Sequence, residues 1–330
     1  MRVLVTGASG HLGCNLVRHL LDEGHQVRVL IHLSDLGLEG LPIERVRGDV
    51  RHLDSLVKAM DGIEVVFNCA GFISILRSEK EQLNAVNVGG VRNVVEASAR
   101  AGIRRLVHFS SIHAIQQEPF EKTLDESRPL VEDPRRPPYD LSKADGERIV
   151  KEAVARGQDC VIVNPTGVIG PHDYRPSYFG QVLLDLCNRR MPALVRAGFD
   201  WVDVRDVAQG AIAAATLADT GDIFLLSGHW HSIRYIAELV QSTTGVPTPT
   251  VELPMWLAGL AAPFTTAWAK LKHKRAVLTE VSLEALRSNR KISHAYATQK
   301  LGFQSRSFEE TIVDTLYWFA RQGMVEPFDN

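Results

Sequence analysis

Apolar and polar positions along this chain keep switching between a strand rhythm and a helix rhythm. Residues 2–6 (RVLVT) form a short β-rich run, and residues 11–24 (HLGCNLVRHLLDEG) carry the helical period and stop at Gly24. Further strands are predicted at 25–31, 65–71, 106–111 and 160–165, with helices at 53–60, about 79–100 and 139–156 between and beyond them. Strands alternating with helices in this order predict an α/β fold, a Rossmann-type doubly wound parallel sheet. Residues 121–138 are polar and proline-rich and read as a loop. Beyond residue 165 the pattern loosens. Residues 201–218 read as a strand end and a helix returning to the sheet, and the remainder as mostly helical, broken by Pro247, Pro249, Pro254 and Pro263. The expected division is a dinucleotide-binding domain of residues 1–165 and about 200–226. A smaller C-terminal substrate lobe would take about 166–199 and 227–330.

Composition narrows the classes. The chain has 330 residues, 45% of them hydrophobic, enough for such a core. A net charge of −2 offers no basic field for nucleic acid. The first residues read directly as a strand, without a charged and then apolar leader, so a cytoplasmic protein is expected. Cys14, Cys69, Cys160 and Cys187 lie in or beside apolar elements at no metal-like spacing and read as reduced thiols. No metal is expected. His229-Trp230-His231 lacks a third ligand nearby in sequence. Residues 253–275 are apolar and then basic, but Pro254 and Pro263 interrupt them, so a substrate-lobe helix is favoured over a span. A weak membrane-surface contact stays open there.

The candidate chemistry begins at Thr6-Gly7-Ala8-Ser9-Gly10-His11-Leu12-Gly13, between a strand and a helix. Gly7 permits a tight turn, Gly10 lets backbone amides approach a pyrophosphate, and Gly13 lets the helix pack close to the sheet. Gly7, Ser9, Gly10, His11, Leu12 and Gly13 are thus dinucleotide-binding candidates. The second strand ends at Ile31-His32 with no carboxylate before Asp35. An NAD site usually has an acidic residue there for the ribose hydroxyls, and His32 offers a donor to a 2′-phosphate, so NADP(H) is favoured over NAD(H). Arg28 is expected on the other face. Asp49, followed by Val50, closes the third strand segment where it can face an adenine ring; a helix cap is its competing role.

Tyr139 and Lys143 stand four residues apart on a predicted helix and so share a face. A nearby ammonium favours phenolate, so the tyrosine pKa is expected to fall from its ordinary ~10. Such a phenol can exchange a proton with a carbonyl or hydroxyl oxygen.

Taken together, TGASGHLG (6–13), GDV (48–50), NCAG (68–71), VNVGGVRNV (86–94), FSSI (109–112), YDLSK (139–143), NPTGVIGP (164–171) and WVDVRDVA (201–208) resemble the extended short-chain dehydrogenases/reductases, in family order. The C-terminal residues 300–319 resemble the closing segment of that family. The resemblance implies Tyr139 as proton donor or acceptor and Lys143 on the nicotinamide ribose. Ser111 would hold the substrate oxygen, with Ser110 on the opposite strand face. Asn87 matches an asparagine that organises the site in many relatives; an ordinary helix-face amide is the equal alternative. Pro165 and Val168 would lie against the nicotinamide, and the backbone of Cys69, Ala70 and Gly71 would run beneath the cofactor. A homodimer through the helices near 85–100 and 140–156 is also implied.

Within the family, many nucleotide-sugar enzymes carry an asparagine three residues before the Gly-Pro pair; Gly167 stands there in this chain. The P-T-x-V-x-G-P form is closer to dihydroflavonol 4-reductases and 3β-hydroxysteroid dehydrogenases. Phe72, Ile73, Ile75, Tyr174, Tyr178 and Phe179, with the apolar run from Pro254 to Leu260, suggest a hydrophobic substrate. The expected function is hydride transfer between a nicotinamide cofactor and the carbonyl or secondary alcohol of a small hydrophobic molecule. A sugar epimerase with internal hydride return and a non-catalytic NAD(P)-binding protein are the rivals. His113 reads as a packed histidine, Ser232 as a helix N-cap and Asp206 as a helix-start residue.

Overall fold

The computed structural model describes residues 1–262 and 279–328. Seven parallel strands form the central sheet: β1 (Arg2–Thr6), β2 (Gln26–Ile31), β3 (Glu44–Arg47), β4 (Val65–Asn68), β5 (Arg105–Phe109), β6 (Cys160–Pro165) and β10 (Ile223–Leu226). Their order is β3-β2-β1-β4-β5-β6-β10, so the winding reverses between β1 and β4. In open α/β sheets the crevice at such a reversal is where ligands bind.

The alternation of side chains along the strands builds two cores. Val3, Val5, Val29, Phe67, Val107, Phe109 and Val163 face α1 (His11–Asp22) and α7 (Val204–Leu217). Leu4, Leu30, Val66, Leu106, Cys160 and Ile162 face the opposite layer, α2 (Leu53–Ala59), α4 (Val91–Arg100) and α5 (Pro138–Ala155). Apolar residues on both faces of each strand explain why these segments read as nearly continuous hydrophobic runs.

Single-element expectations fare unevenly. The strand 160–165 and the helix near 139–156 fall where the sequence places them. The stretch 79–100 is helical but not uniform. A 3₁₀ turn (Arg77–Glu79) leads into a short α3 (Lys80–Leu83), a π-helical segment (Asn84–Gly90) and then α4. Such π segments occur where a side chain must be aimed, and Asn87 lies in this one.

The later part holds more strand than expected. β7 (Gly167–Ile169), β9 (Gly198–Asp203) and β11 (His229–Ser232) form a three-stranded sheet in the order β11-β9-β7, and β8 (Leu194–Val195) pairs with β12 (Glu252–Leu253). A third core packs α6 (Tyr178–Cys187), α8 (Ile233–Thr244) and α11 (Phe308–Arg321) around Phe179, Leu183, Trp201, Ile236 and Phe319. Asp203 fastens this region to the sheet. It caps α7 by accepting from the Arg205 amide at 2.8 Å and accepts from Thr311 Oγ1 at 2.8 Å. Ser232 caps α8 through the Tyr235 amide, as its sequence position suggests. Asp206 lies in the first turn of α7 and accepts from Arg306.

Two short helices, α9 (Glu280–Ala285) and α10 (Ala295–Leu301), complete the described chain. Residues 255–262 are helical and expose Trp256 and Leu260, whereas residues 263–275 of that stretch, Pro263 included, lie outside the described residues. Among the described residues no helix is long and apolar enough to cross a membrane. The four cysteines are free thiols.

Candidate active site

The glycine loop runs from β1 into α1 along the crevice. Gly7 has φ +66°, and a Cβ there would lie 2.7 Å from the Ala70 nitrogen and from the Cys69 carbonyl carbon. The two loops therefore meet backbone to backbone, and only glycine fits. Gly10 is the N-cap of α1 and provides no side-chain acceptor, which leaves the first-turn amides free for a phosphate. His11 does not point outward; its Nε2 lies 3.0 Å from the Gly170 carbonyl and 3.1 Å from that of Pro171. These features fit a dinucleotide pyrophosphate.

At the adenosine end, His32 follows β2 and is half-exposed, with Nε2 3.2 Å from Asp49 Oδ2. Asp49 is not a helix cap. It accepts from the Arg51 amide and guanidinium, the latter at 2.6 and 2.9 Å, and this holds its carboxyl below the usual range. Sequence reasoning missed Arg51; its one signal is a cation two residues beyond Asp49. Asp35 is turned toward Arg45 at 3.5 Å. Arg28 lies in the opposite layer, where it donates to the Ala59 and Asp61 carbonyls and pairs with Glu44 at 2.9 Å.

Tyr139 and Lys143 open α5 from one face. Pro138 in the first helical turn suits the fixed φ of proline. Ser111 follows β5, its side chain near enough to Tyr139 to oppose the rise of the phenol's pKa, and its Oγ accepts from the His113 amide at 3.2 Å. Lys143 is buried, and Nζ donates to the Phe109 carbonyl at 2.9 Å. A Cβ on Gly71 would sit 3.6 Å from both Lys143 Nζ and Asn87 Oδ1. The serine, tyrosine, lysine and the loop after β4 thus converge at the mouth of the crevice. Val50 is buried behind it, against Gly90, while Pro165 and Val168 border the passage from β6 to β7.

Asn87 is buried and fully engaged. Its Nδ2 donates to the Phe72 carbonyl and to Ser142 Oγ, both at 2.9 Å, and Oδ1 accepts from the Phe72 amide at 2.8 Å. It ties the loop after Gly71 to α5, which an ordinary solvent-facing amide would not do.

One electrostatic expectation is overturned. The Tyr139 phenol is not lowered by Lys143. Although part of the residue reaches solvent, burial pushes its pKa up to about 12, with Ser111 opposing the rise and Asp140 adding to it. The ammonium is bonded to Phe109, and its own pKa falls to about 8 through burial. Cys69, beside Lys143, is also raised by burial. His113 packs edge-on to Tyr139 at 5.8 Å between centroids and stacks on Phe199 at 5.6 Å, with Nδ1 3.4 Å from Asp140.

Above Gly167 stands an aromatic wall. A Cβ there would meet Trp201 at 2.6 Å and Phe199 at 2.8 Å. Trp201 also packs on Phe179, with centroids 3.8 Å apart. His229 and His231 are neighbours on β11, yet among the described residues no group of three or more His, Cys, Asp or Glu side chains could hold a metal ion.

This geometry agrees with what the chain is related to. Residues 3–226 match the model of the NAD dependent epimerase/dehydratase family, and the chain belongs to that family, the extended short-chain dehydrogenases/reductases. It is 34% identical to Sterol demethylase protein B of Methylococcus capsulatus, over 98% of this chain and 100% of that one. It is also 34% identical to a putative dihydroflavonol 4-reductase of Synechocystis, over 98% of this chain and 95% of that one. Among solved structures, that of gox2253 superposes with a TM-score of 0.86 at 28% identity, covering 98% of this chain and 99% of that one. Family and relatives support an NAD(P)-dependent enzyme of the oxidoreductase/epimerase type.

Proposed function

We propose that this protein is an NAD(P)-dependent oxidoreductase that interconverts a carbonyl and a secondary alcohol on a small hydrophobic substrate. The observation that carries the reading is the convergence of Ser111, Tyr139 and Lys143 beside the Gly71 backbone. Gly7, Ser9, Gly10, His11, Leu12 and Gly13 would hold the pyrophosphate, and Asp49 and Val50 the adenine side. Cys69, Ala70, Gly71, Pro165 and Val168 would border the nicotinamide, with Lys143 on its ribose. When bound, the nicotinamide cofactor supplies or accepts the hydride.

The protein's own share is alignment and the proton. With its pKa near 12 the Tyr139 phenol is protonated at neutral pH, in the form that donates to a carbonyl oxygen as negative charge grows there. Ser111, whose side chain neighbours Tyr139, is the second group that would donate to the same oxygen. Asn87 fixes the loop and α5 relative to each other.

The surroundings of Gly167 support an apolar substrate. Phe199 and Trp201 fill the space in which a side chain at this position would project. An aromatic wall favours an apolar ring system over a sugar diphosphate, and the names of the two full-length relatives above refer to a sterol and a dihydroflavonol. NADP(H) remains the favoured cofactor, because Asp35 is turned to Arg45 and the two basic side chains beside Asp49, His32 and Arg51, stand where a 2′-phosphate would lie. A cytoplasmic homodimer through the outer faces of α4 and α5 completes the reading.

The test is a screen of hydrophobic ketones and aldehydes, following loss of reduced-nicotinamide absorbance with each cofactor. Tyr139→Phe should retain cofactor binding and lose turnover by about 10²–10⁴-fold. Unchanged turnover would refute the assignment. Substrate isomerised with no net absorbance change would indicate the epimerase instead.

A further inference from the structure

Behind the proposed catalytic face lies a buried polar link that cofactor binding and proton transfer do not account for. Asn164, in β6, is completely buried. Its Nδ2 donates to two acceptors, the Ser111 carbonyl at 3.3 Å and Glu147 Oε2 at 2.9 Å. Glu147 lies on α5 and is 1% exposed; Oε1 is 3.0 Å from Lys151 Nζ, on the outer side of the helix. Tyr139, Lys143 and Glu147 follow each other at four-residue steps and so form one helical stripe.

Burying a carboxylate costs several kcal/mol unless it is paired and hydrogen-bonded, and a glutamine would serve equally well as an acceptor for Asn164. The charge calls for a further role. Lys143 supplies the reason. The groups facing the ammonium are Cys69 just after β4, His108 from β5 and Glu147 from its own helix, with Tyr139 one turn away on that helix. The Cys69 thiol is raised by burial, and His108 is pushed down to about 3 by burial and by Lys143. Tyr139 stays a phenol. All three are neutral near pH 7, leaving Glu147, ion-paired with Lys151, as the carboxylate among them.

We propose that Glu147 is a positioning residue: through Asn164 it sets the Ser111 backbone against α5, and its negative charge balances the buried Lys143 ammonium. The role of Lys143 rests on the function proposed above; the link itself does not. Burial pulls the lysine toward its neutral form, while Glu147 acts in the opposite direction.

Lysine labelled with ¹³C at Cε provides the test, with the Lys143 signal assigned by its loss in Lys143→Met. In Glu147→Gln the Lys143 titration midpoint should fall by about one pH unit, because the charge is removed while the acceptor remains. Glu147→Asp should restore it. A midpoint unchanged in Glu147→Gln overturns the proposal. Should that variant fail to fold, Lys151→Met, on the exposed end of the pair, decides the matter: the midpoint should rise, and an unmoved midpoint overturns the proposal. Neither measurement needs a substrate, so a protein that reduces no carbonyl would sink the functional reading and leave this one standing.

Discussion

Lys143 donates to the Phe109 carbonyl at 2.9 Å, so its ammonium is tethered to β5 and not to Tyr139 one helical turn away. The tether holds a buried cation at the crevice mouth near the Gly71 backbone. Lys143→Met should therefore weaken binding of the reduced nicotinamide cofactor by about 10–100-fold, the value of one or two lost charge-assisted hydrogen bonds. Lys143→Arg should not restore it, because the planar guanidinium does not fit a site shaped for a point charge. Titration of reduced-nicotinamide fluorescence checks both variants.

Gly167 should not tolerate the asparagine found there in many nucleotide-sugar enzymes. Its added Cβ alone would sit 2.6 Å from the Trp201 ring and 2.8 Å from Phe199. Gly167→Asn is expected to cost about 1–3 kcal/mol of stability through overpacking. It should confer no UDP-glucose binding. Urea unfolding and calorimetry would show this, and a stable variant that binds the sugar nucleotide would remove the case for an apolar substrate.

The sheet, the glycine loop and the catalytic candidates were legible because they depend on local pattern. Buried strands read as apolar runs, and four-residue spacing on a helix needs no tertiary knowledge. Ser111 came from the family resemblance, and strand alternation only set it and Ser110 on opposite faces. The direction of the Tyr139 pKa was not legible. Spacing placed a cation near the phenol, but only the fold shows burial outweighing it and Phe109 taking the lysine's hydrogen bond. Asn164 and Glu147 were invisible for a similar reason: strand β6 and helix α5 bring them together from positions seventeen residues apart. The short strands β7, β9 and β11 lack a long apolar alternation, and they exist because they pair with one another.

At Arg306 the C-terminal segment is fastened by charge, beside the apolar packing of α11. Arg306 reaches Asp206 through Nη2 at 2.7 Å and Nε at 2.8 Å, and its amide donates to the same carboxylate at 2.8 Å. It also lies 3.5 Å from Asp203. Both aspartates are buried; without the guanidinium Asp203 keeps Arg205, but Asp206, already out of water, loses its cation. Arg306→Ala should lose about 2–3 kcal/mol, somewhat less than a fully buried pair because the arginine is partly exposed. Arg306→Lys should recover only part of that loss, as measured by urea unfolding at pH 7.

Acid should find its weak point at His108. Burial lowers its pKa from the ordinary 6.5 to about 3, with Lys143 adding to the effect. The folded protein keeps the ring neutral while the unfolded chain takes up the proton. The stabilising contribution of the neutral ring is complete above pH 6.5 and is lost as pH falls through the interval toward 3. At pH 5 the expected loss relative to pH 7 is about 2 kcal/mol from this residue. His108→Gln replaces the ring with a group that does not titrate and can still meet the Asn68 amide, 3.1 Å from Nδ1 in the native protein. The variant starts less stable at pH 7 but should lose less between pH 7 and pH 5. Parallel urea curves at the two pH values measure that difference, and equal losses in both proteins would show that acid unfolds the molecule elsewhere.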